Sequence, residues 1–220
     1  VNVDLYEGIL TTRAMRRYTA EPVGREEIVA CLRAAQQAPS GGNSQPWQYL
    51  VVTEPGIKRQ VAEVYRAAYR RWERAQRASP PVFRNPDEED AFERGLAASR
   101  YLAEHLDQAP ALVLFLMPLI SITPSDEQGP VEIGPLTASV YPAVQNFMLA
   151  ARSFGLGTVL TTVYWSRREE LRSLLGIPER FEVAALVPVG RPERRFGRAP
   201  RRPVEPITHW DRYGNRPLLG

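Results

Sequence analysis

The chain has 220 residues, 44% of them hydrophobic and 24% charged, with a formal net charge of +3 and a pI near 9.2. Such a chain is long enough to bury a full core, so a soluble globular protein of one domain is expected, and no apolar run approaches the roughly 18 residues of a membrane span. Cys31 is the only cysteine and His105 and His209 the only histidines, which excludes an intrachain disulfide and leaves too few ligands for a Cys/His zinc site.

Lys58 is the sole lysine, so the positive charge is almost entirely arginine. The arginines are scattered and form no basic stripe interleaved with aromatics, which argues against a nucleic-acid surface. The start, Val1-Asn2-Val3-Asp4, carries no charged-then-apolar leader pattern, and a cytoplasmic protein is expected.

In chain order, residues 3–13 read as a short helix and residues 25–37 as a second, with Ile28, Val29, Leu32 and Ala35 on one face and Cys31 beside them as a core thiol. Residues 47–53 form a strand. Residues 57–78 and 88–106 are two longer helices, separated by Ser79-Pro80-Pro81-Val82-Phe83-Arg84-Asn85-Pro86, which cannot continue a helix. The apolar run 111–117 fits a central strand. A polar loop over 118–135 leads into a helix ending in Gln145-Asn146-Phe147-Met148-Leu149-Ala150-Ala151-Arg152-Ser153-Phe154, which Pro142 must start or kink. Residues 158–164 are a β-branched strand, Ser166 caps a helix running to Leu175, and residues 181–189 are the last strand. From Gly190 the chain is rich in proline and arginine and is expected to be extended and wrapped over something.

Four segments carry candidate chemistry. Ala38-Pro39-Ser40-Gly41-Gly42-Asn43-Ser44-Gln45-Pro46-Trp47 is a rigid polar loop: the prolines set its entry and exit, the glycines admit a ligand close to main-chain N–H groups, and Ser40, Asn43 and Gln45 supply donors and acceptors. It also reads as an ordinary helix-to-strand connection. Thr12-Arg13-Ala14-Met15-Arg16-Arg17-Tyr18 ends a helix in three arginines, which suit either an anion or the helix dipole. Gly155-Leu156-Gly157-Thr158 stands between helix and strand, the reverse of a dinucleotide fingerprint, and reads first as a helix C-cap. Arg198-Ala199-Pro200-Arg201-Arg202-Pro203 reads first as a solvated charge run, and no P-loop surrounds Lys58.

Together and in this order, with Val189-Gly190-Arg191-Pro192 before the arginine tail, these segments resemble the nitroreductase family of flavin enzymes over almost the whole chain. The resemblance implies an α+β three-layer sandwich, a central mainly antiparallel sheet flanked by helices, working as an intertwined homodimer with FMN in two sites at the subunit interface. Residues 1–220 would be a single domain whose C-terminal arm, 190–220, lies over the partner subunit.

Carried over by position, Arg13 and Arg16 match the residues that grip the FMN phosphate and ribityl end, Arg201 matches the tail arginine that joins them, and Arg198 is a second tail candidate. Ala14 departs from the family's usual serine. Pro39, Ser40, Gly41 and Asn43 match the loop that packs on the isoalloxazine, while Leu160, Thr161 and Thr162 match the segment near its N5, where relatives often carry glycines. The resemblance implies an NADPH- or NADH-dependent, ping-pong reduction of a small planar acceptor such as a nitroaromatic or quinone, with no catalytic side chain and no metal because the flavin carries the redox step. Trp72, Phe83 and Phe92 would belong to a lid or to ordinary helix packing. The alternatives are a flavin-sequestering protein without turnover and a flavin-fragmenting or reductively dehalogenating enzyme.

Overall fold

The computed structural model describes residues 3–120, 123–131 and 134–216. The loop expected at 118–135 and the arm expected at 190–220 thus lie partly outside the described residues, at 121–122, 132–133 and 217–220.

Helices begin where a side chain can take up the first free N–H groups. Asp4 accepts from Tyr6 and Glu7 at the start of α1 (Leu5–Thr11), Glu54 from Gly56 and Ile57 at the start of α3 (Pro55–Ala78), and Asn85 from Glu88 at the start of α4 (Pro86–His105). In α2 (Arg25–Ala35) the Glu27 carboxylate reaches back to the Gly24 N–H at 2.9 Å. The first proline of α3 and of α4 stands where its missing N–H costs nothing.

Four strands form one antiparallel sheet in the order β1-β2-β6-β5: β1 (Gln48–Val52), β2 (Ala111–Pro118), β5 (Gly157–Thr158) and β6 (Phe181–Gly190). A separate small hairpin pairs β3 (Ser125–Asp126) with β4 (Gly129–Pro130). Both faces of the sheet are covered, which is why β2, and β6 from Val183 onward, read as continuous apolar runs. Leu112, Leu114 and Leu116 point into one layer with Val61, Tyr65 and Tyr69 of α3, Leu102 of α4 and Leu171 of α6 (Arg168–Leu174). Ala111, Val113 and Phe115 point into the other, with Ile28 and Cys31 of α2 and Val144 and Phe147 of α5 (Thr137–Ser153). Phe147 is fully buried and meets the Phe115 ring edge-on at 5.5 Å, a burial worth about 3–5 kcal/mol. Trp72 packs partly buried against the first layer, 5.6 Å from Tyr69, whereas Phe83 and Phe92 pair with each other at 5.4 Å. Among the described residues no helix is long and apolar enough to cross a membrane.

Three local expectations are corrected. The strand expected at 158–164 is reduced to Gly157–Thr158 and a single bridge from Thr161 to Leu186, followed by a 3-10 turn over Val163–Arg167. Tertiary partners override the β-branched run: Tyr164 turns into the core and donates to the Val183 carbonyl at 2.7 Å, and the Thr161 hydroxyl pairs with that of Tyr65 at 2.8 Å. Ser166 is not the cap of α6, because this turn runs directly into the helix and the Trp165 carbonyl takes the Arg168 N–H. Pro142, expected to start or kink this helix, does not start α5; it sits inside, one turn from the N-terminus, where it forfeits the bond to the Ala138 carbonyl.

Candidate functional site

The basic segment after α1 is held against the short strand β5. Ala14 bridges Thr158 in parallel, and the Met15 N–H donates to the Thr158 carbonyl at 2.9 Å. Met15 is buried against Gly157, where an added Cβ would lie 2.9 Å from the Met15 Cβ, so this approach requires glycine. Gly157 reaches that place through a Schellman ending of α5: Gly155 at φ 72° donates to Arg152, and Leu156 to Ala151. The C-cap reading of this glycine pair therefore describes it well.

With Met15 inward, Arg13 and Arg17 are exposed and Arg16 is half-buried. A second strand-like segment lies alongside. Tyr18 bridges Pro192, the Thr19 N–H donates to Arg191 and the Glu193 N–H to Arg17. Tyr18 lies over Gly190, where a Cβ would come within 2.9 Å of its ring and 2.7 Å of Pro110. Its hydroxyl donates to the Met15 carbonyl, and burial pushes its phenol well above the ordinary range, against the pull of nearby Arg16.

The product of this registry is a pocket of about 230 Å³ walled by Arg13, Arg16, Arg17, Arg194 and Arg195 around Ala14, Met15 and Ala98. No carboxylate lines it, and none of the five guanidiniums forms an ion pair with a described residue. Arg17 instead lies over the Tyr101 ring, 3.4 Å from its centroid. Arginines gathered around one cavity without a carboxylate among its lining residues suit an anion, a phosphate above all.

The other predicted residues lie elsewhere in the chain. Ser40, Gly41 and Asn43 form an outlying 3-10 turn with Gly42 at φ 58° and Asn43 at φ 53°, and Gln45 beyond it at φ 44°. The Ser40 hydroxyl accepts from the Gln45 N–H, Asn43 accepts from the Gln45 amide, and Gly41 donates to Ser139, so these polar groups set the shape of the loop. Pro39, Gly41 and Asn43 are exposed. At 160–162, the N–H and hydroxyl of Thr161 are committed to Leu186 and Tyr65, leaving half-buried Leu160 and exposed Thr162 on the outer side. Arg198 stands 4.0 Å from Glu7, and Arg201 donates to its neighbour Pro200. None of these residues lines the arginine pocket of the same chain. Conversely, Arg194 and Arg195 line it without having been singled out; only the pairing of residues 17–19 with 191–193 reveals them. Among the described residues no group of three His, Cys, Asp or Glu is placed to hold a metal.

Comparison with known proteins places these observations. The chain is 25% identical over 208 residues to iodotyrosine deiodinase of Nematostella vectensis, covering 94% of this chain and 74% of that protein; it spans 63% of the length of the rat iodotyrosine deiodinase 1. An Archaeoglobus fulgidus protein with the provisional name NADH dehydrogenase/NAD(P)H nitroreductase is 28% identical over 187 residues, covering 84% of this chain and 83% of that protein. The crystal structure of oxidized iodotyrosine deiodinase bound to FMN and 3-iodo-L-tyrosine superposes with a TM-score of 0.73 at 25% identity, over 96% of this chain and all of that one. The model of the nitroreductase family matches residues 9–191, a span that includes both the basic segment after α1 and the end of β6, and this chain belongs to the nitroreductase family.

Proposed function

We propose that the chain is an FMN-dependent oxidoreductase that takes hydride from NADPH or NADH and passes it, in a ping-pong sequence, to a nitroaromatic, quinone or similar planar acceptor. The observation that carries this reading is the carboxylate-free arginine pocket beside β5. Arg13 and Arg16 of that pocket fit the terminal phosphate of FMN, with charge about −2, and the polar 39–43 loop suits the faces and edge of a flat ring. FMN bound there supplies the hydride acceptance and donation. The chain would supply the rest: Arg13 and Arg16 would hold the phosphate, and Leu160, Thr162 and the 39–43 loop would border the ring.

The same proposal makes the working unit a homodimer of single-domain subunits, with 190–220 as the arm: residues 190–193 pair within their own chain, and the part beyond them lies over the partner. Two observations support it. The ring loop, Arg198 and Arg201 share no pocket with Arg13 and Arg16 in one chain. Large apolar side chains are exposed on α1, with Leu5 at 71% and Tyr6 at 70%, and on the tail, with Tyr213 at 90%.

The decisive test is the absorption spectrum of the purified protein. FMN bands, bleached by NADPH or NADH, are expected; a colourless protein that takes up no flavin on soaking overturns the reading. Truncation after Gly190 is expected to abolish dimer and flavin together by light scattering and absorbance, and a flavin-loaded monomer overturns the shared site. A second reading, reductive dehalogenation of a halogenated phenol, is favoured by the likeness to the iodotyrosine deiodinases. Halide release measured beside nitroaromatic reduction decides between the two.

A further inference from the structure

The arginine pocket holds more positive charge than one flavin phosphate neutralises. Five arginines line it; a bound phosphate monoester carries about −2. Arg13 and Arg16 suffice for that group, and Arg17 is engaged with the Tyr101 ring. Arg194 and Arg195 remain, without a carboxylate partner among the described residues. The backbone leading into them is pinned. Glu193 is pinned to the Arg17 carbonyl at 3.2 Å, and Arg191 is locked by Glu27 at 2.7 Å, Glu21 at 3.2 Å and the Phe154 carbonyl at 2.7 Å. Like charges gathered at one wall repel until an anion enters, and a planar fork favours a phosphate.

We propose that Arg194 and Arg195 form a second anion subsite, beside the flavin phosphate position, that takes the 2′-phosphate of NADPH and so makes the chain select NADPH over NADH. The inference rests on the FMN oxidoreductase reading and deepens it by naming the reductant. NADPH differs from NADH by that one phosphate monoester, so two exposed guanidiniums beside the flavin suffice to discriminate.

The test is the double variant R194Q/R195Q in the flavin-loaded protein. The ratio of KM for NADPH to KM for NADH is expected to rise by about tenfold or more, the loss of one charged hydrogen bond, with flavin content unchanged. Calorimetric titration with adenosine 2′-phosphate, which needs no turnover, is expected to show binding to the parent protein and at least tenfold weaker binding to the variant. Equal KM shifts for both nucleotides overturn the subsite, as do unchanged adenosine 2′-phosphate binding and loss of flavin from the variant; in the last case the two arginines hold FMN instead. A parent protein without flavin overturns the oxidoreductase reading alone, and the titration still decides the subsite.

Discussion

Arg194 and Arg195 belong to the same proline- and arginine-rich tail as Arg198 and Arg201, yet the two pairs end in different surroundings. The first pair follows a segment stitched to residues 17–19 by backbone hydrogen bonds and stands on the wall of the arginine pocket. The second pair has no such registry among the described residues: Arg198 rests 4.0 Å from an exposed glutamate of α1, and Arg201 donates to the preceding carbonyl. A long arginine becomes part of a site when its backbone is fixed, because only then is the entropy of holding a flexible side chain already reduced.

The comparison breaks or stands first on Arg16→Ala against Arg201→Ala. Removing Arg16 from the pocket is expected to weaken FMN retention by about 1.5–3 kcal/mol, or tenfold to hundredfold, measured by flavin fluorescence on dilution. Arg201→Ala is expected to match it if the partner's arm completes the site. Retention unchanged in Arg201→Ala would leave the tail end as a solvated charge.

Gly190→Ala attacks the registry itself. Its Cβ would lie 2.7 Å from Pro110 and 2.9 Å from the Tyr18 ring, so Tyr18 must move and carry residues 16–19 with it. A loss of about 1–3 kcal/mol in denaturant unfolding is expected, accompanied by weaker flavin retention. Stability loss with flavin affinity intact would uncouple the pocket from this pairing.

Arg191→Ala tests the clamp that directs the tail. Burial alone would raise the Glu27 carboxyl, but the Gly24 N–H and the Arg191 guanidinium outweigh it and hold the group below the usual carboxylate range. Because the folded value lies below the unfolded one, near 4.3, this stability is present above that pH and is lost as pH falls through the folded value. The variant is expected to lose about 1–2 kcal/mol at neutral pH and to show a shallower decline in stability on acidification. An acid profile parallel to the parent's would count against the Glu27 pairing.

An effect no larger than that of Arg191→Ala is expected at Gly42→Ala in the ring loop. The residue has φ 58° and nothing within 4 Å of an added Cβ, so the cost is the left-handed conformation alone, about 1–2 kcal/mol. Unfolding midpoints check it; a neutral or stabilising result would mean the loop changes shape freely.

Much of the fold was legible in the residues themselves. The two long helices expected at 57–78 and 88–106 are present and start two residues earlier, at Pro55 and Pro86, the apolar run 111–117 announced a central strand, and the last strand was expected at 181–189. The ordered motifs pointed to the family, and Arg13 and Arg16 line the pocket. These features depend on local rules: capping, periodicity and proline geometry act within a few residues. Residues 158–164 failed as a strand because Tyr65 and Val183, far away in sequence, offered Thr161 and Tyr164 buried hydrogen bonds that no local pattern records. Arg194 and Arg195 were invisible for the same reason, since their place follows from the pairing of residues 17–19 with 191–193. The sequence by itself determined the elements, the two-sided sheet and the arginine-bearing motifs. Only the tertiary structure decided which arginines share a pocket, because that depends on backbone registry between segments from opposite ends of the chain.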